Sequence, residues 1–272
     1  MPELPEVETV RRTLAPHIEG RRIETVVFHW ARTCVGDPAA TAERLAGQRI
    51  ESLDRRGKYL LFRLRKGGKK SYLTVHLRMT GNLLLNGEPG PYTRAEMLLS
   101  GGSTVEFNDV RKFGKWEWSP SLPERLERLG PEPLEISSSE FLARLGKRTM
   151  RLKPLLLDQG FLRGLGNIYA DEALFRARLH PEVPASSVGP RKARALHGAI
   201  QRVLTEAIEA GGSSISNYVD GRGSRGYFQL RTQVYGKHGT PCVRCGTALR
   251  RIVLAQRGTH YCPRCQRRRG RP

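Results

Sequence analysis

The chain has 272 residues, enough for one large domain or two modest ones, and a chain of this length buries most of its surface without disulfides. Lysine and arginine number 47 against 26 aspartate and glutamate, a formal net charge of +21 that indicates a polyanionic partner. Apolar runs such as Tyr59–Phe62 and Leu155–Leu157 fall far short of the roughly 20 residues that span a bilayer, which excludes a transmembrane helix. We expect no membrane partner. The acidic start lacks a secretory or transit pattern, so we expect a cytoplasmic protein.

The first half of the chain predicts one helix followed by a mainly β domain. Apolar side chains recur at helical spacing from Glu6 to Ile18, Pro5 suits a first turn and Gly20 suits the end. Short alternating or β-branched runs then follow, separated by glycine, asparagine and proline. These runs are Ile23–Trp30, Ile50–Leu53, Tyr59–Leu64, Tyr72–Leu77, Met97–Leu99, Thr104–Phe107 and Trp116–Trp118. They predict an antiparallel sandwich or barrel.

The second half is predicted to be helical, after a stiff break at Gly130–Pro133. The helical segments are Ser138–Leu145, Met150–Leu157, Asn167–Leu179 and Pro190–Ala210. Gly211 and Gly212 end the last helix, and the polar, glycine-rich stretch Ser213–Gly226 predicts a mobile loop. We therefore predict an α+β multidomain chain with domains at residues 1–130, 137–230 and 231–272 and a linker at 131–136.

The basic charge is concentrated at the C-terminal end. Arg222–Pro272 contains thirteen lysine or arginine residues and no acid. This favours nucleic acid as the partner, because each neutralised phosphate releases condensed counterions. A solvated face or a disordered tail is the alternative for a short run such as Arg267–Arg269. Four cysteines in the same segment favour an ordered module.

Cysteine spacing predicts one structural zinc site. Cys242 and Cys245 form one Cys-x-x-Cys pair, and Cys262 and Cys265 form another after sixteen intervening residues. Each pair can present two thiolates to one tetrahedral ion, and a full set of sulfur ligands leaves no open position for catalysis. The alternative, four free thiols, would expose a reactive cluster without function. Cys34, outside both pairs, is expected to be an ordinary buried thiol.

Two further segments allow an anion site and a nucleophile. The turn Gly164–Asn167 opens a helix, where backbone N–H groups can bind a phosphate and Lys153 can add charge; a plain cap by Asn167 is the alternative. Removal of Met1 would give Pro2 a secondary amine with a pKa near about 8, nucleophilic at neutral pH, with Glu3 beside it to move protons. The alternative is that these are ordinary helix-initiating residues.

Several motifs occur in order from residue 2 to residue 266. They are MPELPEVETVRR, RRGKYLL, HLRMTG, RKFG, LLDQGFLRGLGNIYADEALF, GYFQ and CVRC with AQRGTHYCPRCQ. Together they resemble the bacterial formamidopyrimidine-DNA glycosylases. Endonuclease VIII shares the scaffold, but its start usually reads Pro-Glu-Gly-Pro-Glu, whereas this chain has Pro2-Glu3-Leu4-Pro5-Glu6.

The resemblance implies an N-terminal β-sandwich with flanking helices and a helical domain with a helix-two-turn-helix and a four-cysteine zinc-finger β-hairpin. DNA would bind in a basic cleft between them. Pro2 would attack C1′ of the damaged nucleotide and form an imine, Glu3 would manage the proton transfers of the sugar, and Glu6 would order the terminus. β- and δ-elimination would then cut the strand without a nucleotide or redox cofactor. We expect a monomer acting on damaged double-stranded DNA.

The resemblance also implies DNA contacts. Phosphates around the flipped nucleotide would be held by Lys58, His76, Lys153, Asn167 and Arg257. The gap in the duplex would be filled by Met79, Arg111 and Phe113, with Arg111 facing the orphaned base. Without the resemblance, Lys58 and His76 read as solvated sheet residues, and Met79 and Phe113 as core side chains.

One segment departs from the family pattern. Where a Leu-Arg-Asp-Tyr type sequence is expected, the chain has Ile215–Tyr218, in the neighbourhood that closes over the extruded base in the family. The expected substrates are oxidised purines, namely 8-oxoguanine and formamidopyrimidines. The alternatives are an endonuclease VIII type enzyme for oxidised pyrimidines and a zinc-ribbon DNA-binding protein without catalysis.

Overall fold

The computed structural model describes residues 1–215 and 217–268, so Ser216 and Arg269 of the segments discussed above lie outside the described residues. The helices are α1 Leu4–Ile18, α2 Pro38–Leu45, α3 Glu124–Glu127, α4 Ser138–Gly146, α5 Leu152–Leu157, α6 Asn167–Arg176 and α7 Pro190–Glu209. The strands are β1 Ile23–Phe28, β2 Arg49–Arg56, β3 Tyr59–Lys66, β4 Lys69–His76, β5 Gly81–Leu85, β6 Thr93–Leu99, β7 Thr104–Asp109, β8 Lys115–Ser119, β9 Arg250–Leu254 and β10 Arg257–Tyr261. Among these residues, no helix combines the length and apolarity needed to cross a membrane.

The first half of the chain forms the predicted sandwich. Two four-stranded antiparallel sheets have the strand orders β1-β6-β7-β5 and β2-β3-β4-β8. The apolar stripe of α1, with Val7, Val10, Leu14 and Ile18 all fully buried, joins the core of these sheets. The i, i+3, i+4 spacing puts these four side chains on one face of the helix, and their burial fixes the first turn of α1 relative to the sheets.

Three elements of this half were missed by the sequence prediction, namely β5, α2 and the single-turn helix α3. Strand β5 reads Gly-Asn-Leu-Leu-Leu without alternation, and its register against β7 is what makes it a strand. Helix α2 is short, begins at Pro38, and is capped by the Asp37 carboxylate, which accepts from the N–H of Ala40 at 2.7 Å. All three elements are too short for a periodic signal, so tertiary packing decides them.

Contacts divide the chain into two compact units. The first unit consists of Met1–Arg128 and Ile208–Gln229, and the second consists of the rest of the described chain. The segment after α7 therefore packs with the sandwich. The domain boundaries predicted from the sequence stay a prediction. The two units group residues that contact one another, and this grouping does not test where a domain begins or ends along the chain.

The second unit contains α4, α5, α6 and the antiparallel hairpin of β9 and β10. The hairpin turns at Ala255 and Gln256, whose φ angles of 47° and 59° lie in the left-handed region. Two left-handed residues are what a tight two-residue hairpin requires, although glycine and asparagine are its usual occupants. The turn brings Arg257 to the first position of β10, opposite Leu254.

Candidate active site and metal centre

The N-terminal turn of α1 is buried, and the Glu6 carboxylate holds it in place by hydrogen bonds. Pro2 is buried, and Glu3 and Glu6 are only 3% and 2% exposed despite their charges. Glu6 accepts from the backbone N–H of Glu3 at 2.7 Å through one oxygen and from that of Ser213 at 2.8 Å through the other. The Tyr218 hydroxyl donates to the Glu6 carbonyl at 3.2 Å. Charge-assisted bonds of this kind are the stronger class, so the backbone beside Pro2 is held in one position.

The three predicted gap-filling side chains lie together. The Arg111 guanidinium donates to the Met79 sulfur at 3.0 Å and lies 4.8 Å from the centre of the Phe113 ring. Met79 is 40% exposed and Phe113 is 47% exposed, so the alternative that they are core side chains is wrong. They line a cavity of about 660 Å³ together with Met1, Trp30, Arg32, Arg78, Lys112 and Lys115. An exposed apolar pair with cationic and apolar neighbours is a surface suited to a partner.

The cluster lies on two turns, one at Arg78 and one at Lys112, that have strained backbone angles. Hydrogen bonds to Asp109 hold the second turn in place. Arg78 and Lys112 have φ angles of 54° and 61°, a region costly for residues with a Cβ. The buried Asp109 carboxylate accepts from the N–H of Gly114 at 2.7 Å and from that of Arg111 at 3.2 Å. A Cβ on Gly114 would come within 2.2 Å of the Phe107 ring, so only glycine fits there. The sequence reasoning missed Asp109, because nothing local marks it as a turn anchor.

Lys58 and His76 are buried rather than solvated. Each is 8% exposed, which contradicts the alternative that they are solvated sheet residues. His76 Nδ1 accepts from the N–H of Arg78 at 2.9 Å, which leaves the proton of the neutral ring on Nε2. Burial, helped by the positive charges of Arg78, Lys58 and Arg125, lowers the pKa of His76 to about 3. The ring is therefore a neutral hydrogen-bond donor at physiological pH.

In the second unit, α6 is joined to the hairpin by Asn167. Helix α6 begins at Asn167 and its N-cap is Gly166, so the alternative that Asn167 is the cap residue is wrong. The Asn167 side-chain amide instead donates to the carbonyl of Gly258 at 3.0 Å. Gly258 follows Arg257, which is exposed. The helix start and Arg257 are thus held next to each other.

Lys153 has a buried partner that the sequence reasoning missed. Its side chain is fully buried, forms an ion pair with Asp171 and donates to the Asn167 carbonyl at 3.4 Å. Asp171 also accepts from the backbone N–H of His260 at 2.9 Å and lies 3.1 Å from its Nδ1. Asp171 stands four residues after Asn167, so both face the hairpin. The ammonium group of Lys153 forms its ion pair with Asp171 in this structure, so its contact with a DNA phosphate stays a prediction.

The four paired cysteines form a site of the size that zinc requires. All four sulfur atoms lie within 4.8 Å of one another; Cys242 and Cys265 are 4.0 Å apart, and Cys245 and Cys262 are 3.5 Å apart. A tetrahedral ion with Zn–S bonds of about 2.3 Å separates its sulfurs by about 3.8 Å, so the cluster fits Zn²⁺. Backbone N–H groups of Arg244 and Cys265 donate to sulfur, which stabilises thiolates. Cys34, in contrast, is 6% exposed and its burial raises its pKa.

Three family models match the chain in order. They are the formamidopyrimidine-DNA glycosylase N-terminal domain at residues 1–116, the formamidopyrimidine-DNA glycosylase H2TH domain at residues 129–219, and the zinc finger found in FPG and IleRS at residues 239–268. A sandwich with a buried N-terminal turn, a helical unit and a four-cysteine hairpin accordingly define a DNA glycosylase of the H2TH and zinc-finger class.

Whole-chain comparisons identify the family. The chain is 52% identical to the formamidopyrimidine-DNA glycosylase of Solibacter usitatus over 98% of this chain and 100% of that protein, and 43% identical to that of Bacillus subtilis over 98% and 99%. Its fold is similar to MutM (Fpg) of Thermus thermophilus, with a TM-score of 0.87, 45% identity and coverage of 97% and 98%. It is also similar to a mutant of Lactococcus lactis Fpg solved with Fapy-dG-containing DNA, with a TM-score of 0.89, 39% identity and coverage of 98% and 100%. The chain belongs to the formamidopyrimidine-DNA glycosylase family.

Proposed function

We propose that this protein is a bifunctional DNA glycosylase and abasic-site lyase that removes oxidised purines, 8-oxoguanine and formamidopyrimidines, from duplex DNA. Similar Lactococcus lactis proteins have been solved with Fapy-dG-containing DNA and with abasic-site DNA, which supports both the lesion class and the lyase substrate. The observation that carries the proposal is the N-terminal turn, where Pro2 and Glu3 are buried and Glu6 fixes the backbone. Such a substrate implies that the protein works in the bacterial cytoplasm, on the nucleoid.

Met1 must be removed before the enzyme can react with DNA. The nitrogen of Pro2 has no nucleophilic lone pair while it belongs to a peptide bond. The free secondary amine then attacks C1′, the base leaves with the electrons of the glycosidic bond, and a proton neutralises it. Glu3 moves the proton that lets the sugar ring open to the imine. The imine acidifies the 2′ proton, so the 3′ phosphate and then the 5′ phosphate leave by β- and δ-elimination.

The DNA contacts divide into anchoring and gap filling. Lys58, Arg257 and the amide of Asn167 bind phosphates, and His76 adds a neutral N–H donor rather than a charge. The side chains of Met79, Arg111 and Phe113 fill the space that the extruded nucleotide leaves, with Arg111 against the orphaned base. Filling offsets the few kcal/mol lost when a base is unstacked.

The zinc ion has a structural role. Cys242, Cys245, Cys262 and Cys265 supply all four ligands, so no open position remains for water or substrate. These four cysteines would hold Zn²⁺, which would join the two Cys-x-x-Cys turns and so order the hairpin that carries Arg257.

Borohydride trapping tests the chemistry. Wild-type protein with Met1 removed, confirmed by N-terminal mass analysis, is expected to form a reducible covalent adduct with a duplex containing one 8-oxoguanine. The Pro2→Gly variant, a less constrained primary amine, should bind that duplex while trapping and strand cleavage fall. Full lyase activity with Met1 retained would contradict the mechanism.

Duplex binding without any trapping by the processed wild type would favour the non-catalytic zinc-ribbon alternative. Preference for an oxidised pyrimidine would favour the endonuclease VIII type.

A second comparison tests the orphaned-base contact. Arg111→Ala should relax discrimination among the four opposite bases by about 1–3 kcal/mol if the contact is bidentate. Arg128→Ala is the matched control, because it removes one equally charged group whose side chain is 73% exposed and pairs with Glu124. Unchanged opposite-base preference in Arg111→Ala would show that Arg111 makes at most a phosphate contact.

A further inference from the structure

Strand β5 is an edge strand whose open side is covered by the chain that follows α7. In the sheet order β1-β6-β7-β5 it has a neighbour on one side only. The backbone N–H of Leu85 donates to the carbonyl of Gly221 at 2.8 Å on the other side. An uncovered edge presents unpaired backbone groups to solvent or to other chains. The segment 217–221 therefore occupies a position that a further strand would take.

The side chain of Asn82 completes this cover. Its amide nitrogen donates to the carbonyl of Asn217 at 2.9 Å, and its amide oxygen accepts from the N–H of Val219 at 3.2 Å. A side-chain amide that uses one donor and one acceptor on alternate residues reproduces the pairing of a backbone peptide in a ladder. Asn82 thus fixes the register of the segment as well as its distance from β5.

The far end of the segment is fixed to α1. The N–H of Gly221 donates to the Thr13 hydroxyl at 2.9 Å. A Cβ on Gly221 would lie 2.7 Å from the Leu14 side chain, so the backbone touches the helix closely. The segment is therefore anchored at both ends, by β5 and by α1.

The start of the same stretch is fixed beside the proposed nucleophile. The Glu6 carboxylate that accepts from Glu3 also accepts from Ser213, so one carboxylate joins the chain after α7 to the N-terminal turn. The Ser214 hydroxyl donates to the Tyr218 carbonyl at 2.8 Å, which brings the chain back after a few residues. Between these anchors Ile215 is 54% exposed.

From this arrangement we propose that Asn82 is a positioning residue for base recognition. This proposal rests on the proposed function, in which the base that leaves C1′ lies next to the amine of Pro2. The chain after α7 that begins at Ser213 lies beside the N-terminal turn, because Glu6 binds both. Asn82 holds the return of this stretch in register, so that Ile215 and Asn217 are presented to the base. An abasic site has no base, so its cleavage does not use this contact.

The test compares two reactions of one protein. Asn82→Ala should slow excision of 8-oxoguanine about tenfold in single-turnover assays, since it removes two hydrogen bonds. Cleavage of a duplex that already contains an abasic site should change by less than about twofold. Asn82→Asp keeps the acceptor for Val219 and loses the donor to Asn217, so it should fall between Asn82→Ala and the wild type.

The matched control is Asn108→Ala. Asn108 pairs with Asn82 in the register of β5 and β7, and its amide oxygen accepts from the Thr93 hydroxyl at 2.7 Å rather than binding the segment. It should leave the ratio of excision to abasic cleavage unchanged. Thermal unfolding of each variant separates positioning from loss of fold.

Three outcomes decide the matter. A selective loss of excision supports the role of Asn82. Equal losses in both reactions, or no loss in either, overturn it while leaving the proposed function intact. A wild-type protein inactive on both duplexes overturns the proposed function and this inference with it.

Discussion

An ion cluster at the base of α1 predicts how stability should depend on pH. The Glu8 side chain is 10% exposed and pairs with Arg11 at 2.8 Å, Arg12 at 2.8 Å and Arg55 of strand β2 at 3.0 Å. Burial by itself raises the pKa of this carboxyl. The hydrogen bonds from Arg11 and Arg12 and the charge of Arg55 outweigh burial and lower the pKa from 4.5 to about 2. The cluster joins α1, the helix that follows Pro2, to the sheet.

The magnitude follows from this change in pKa. A fall from 4.5 to about 2 corresponds to about 3 kcal/mol, since each pH unit is worth about 1.36 kcal/mol. Arg12 is 57% exposed, so solvent screening reduces the expected contribution to about 2 kcal/mol. Because the folded pKa is the lower one, this stability is present above the unfolded value of 4.5 and is lost as the pH falls toward about 2.

The perturbation is Glu8→Gln, measured by urea unfolding at pH 7, 5, 4 and 3. All three tryptophans, Trp30, Trp116 and Trp118, belong to the first unit, so tryptophan fluorescence reports on the sandwich. The variant should be about 2 kcal/mol less stable at pH 7, with the difference shrinking steadily below pH 5.

The matched control is Glu124→Gln, which breaks an exposed i,i+4 pair and should cost less than about 0.5 kcal/mol at any of these pH values. Equal stability of wild type and Glu8→Gln at pH 7, or a difference that stays constant down to pH 3, would refute the reasoning.

Three further predictions concern the metal, a buried charge and a neutral histidine. Chelation of zinc, or Cys242→Ser, should unfold the hairpin and weaken binding to lesion DNA in gel shifts; a metal-free protein with an ordered hairpin and wild-type affinity would contradict this. Lys153→Met leaves Asp171 buried without its ammonium partner and should cost about 3–5 kcal/mol in chemical unfolding, against less than about 1 kcal/mol for the exposed Arg128→Met; equal costs would argue against a buried pair. Since the pKa of His76 is about 3, its ring stays neutral from pH 5 to 8, so the DNA affinity of His76→Gln should run parallel to that of wild type across this range; curves that diverge near pH 6 would show a charged ring.

Local patterns in the sequence were enough for the main elements and for the metal site. The apolar spacing of α1, the alternation that predicted the sandwich, and the two Cys-x-x-Cys pairs each lie within a short stretch of chain. Each is decided by a geometric period or by ligand chemistry, which the sequence carries by itself. Family resemblance added Met79, Arg111 and Phe113 as gap-filling residues. In the structure Arg111 contacts each of the other two, and their role stays a proposal.

The supports of the site were beyond local reasoning. Glu6 and Ser213 are 207 positions apart, Asn82 and Asn217 are 135 apart, and Asp171 and His260 are 89 apart. Before folding, nothing distinguishes Asp171 on its helix from any other acid. The cost of burying such a group is offset only by partners that folding brings to it, so the partners cannot be read from its neighbours in sequence.

The sequence by itself determined the helix that follows Pro2, the alternation of the sandwich strands and the four thiolates that bind one zinc ion. Only the tertiary structure decided that β5 is a strand, that Lys153 faces Asp171 and that one carboxylate joins the N-terminal turn to the chain after α7. The reason is physical. Periodicity and ligand spacing act over a few residues, whereas hydrogen bonds of buried polar groups depend on register and packing between segments far apart in the chain.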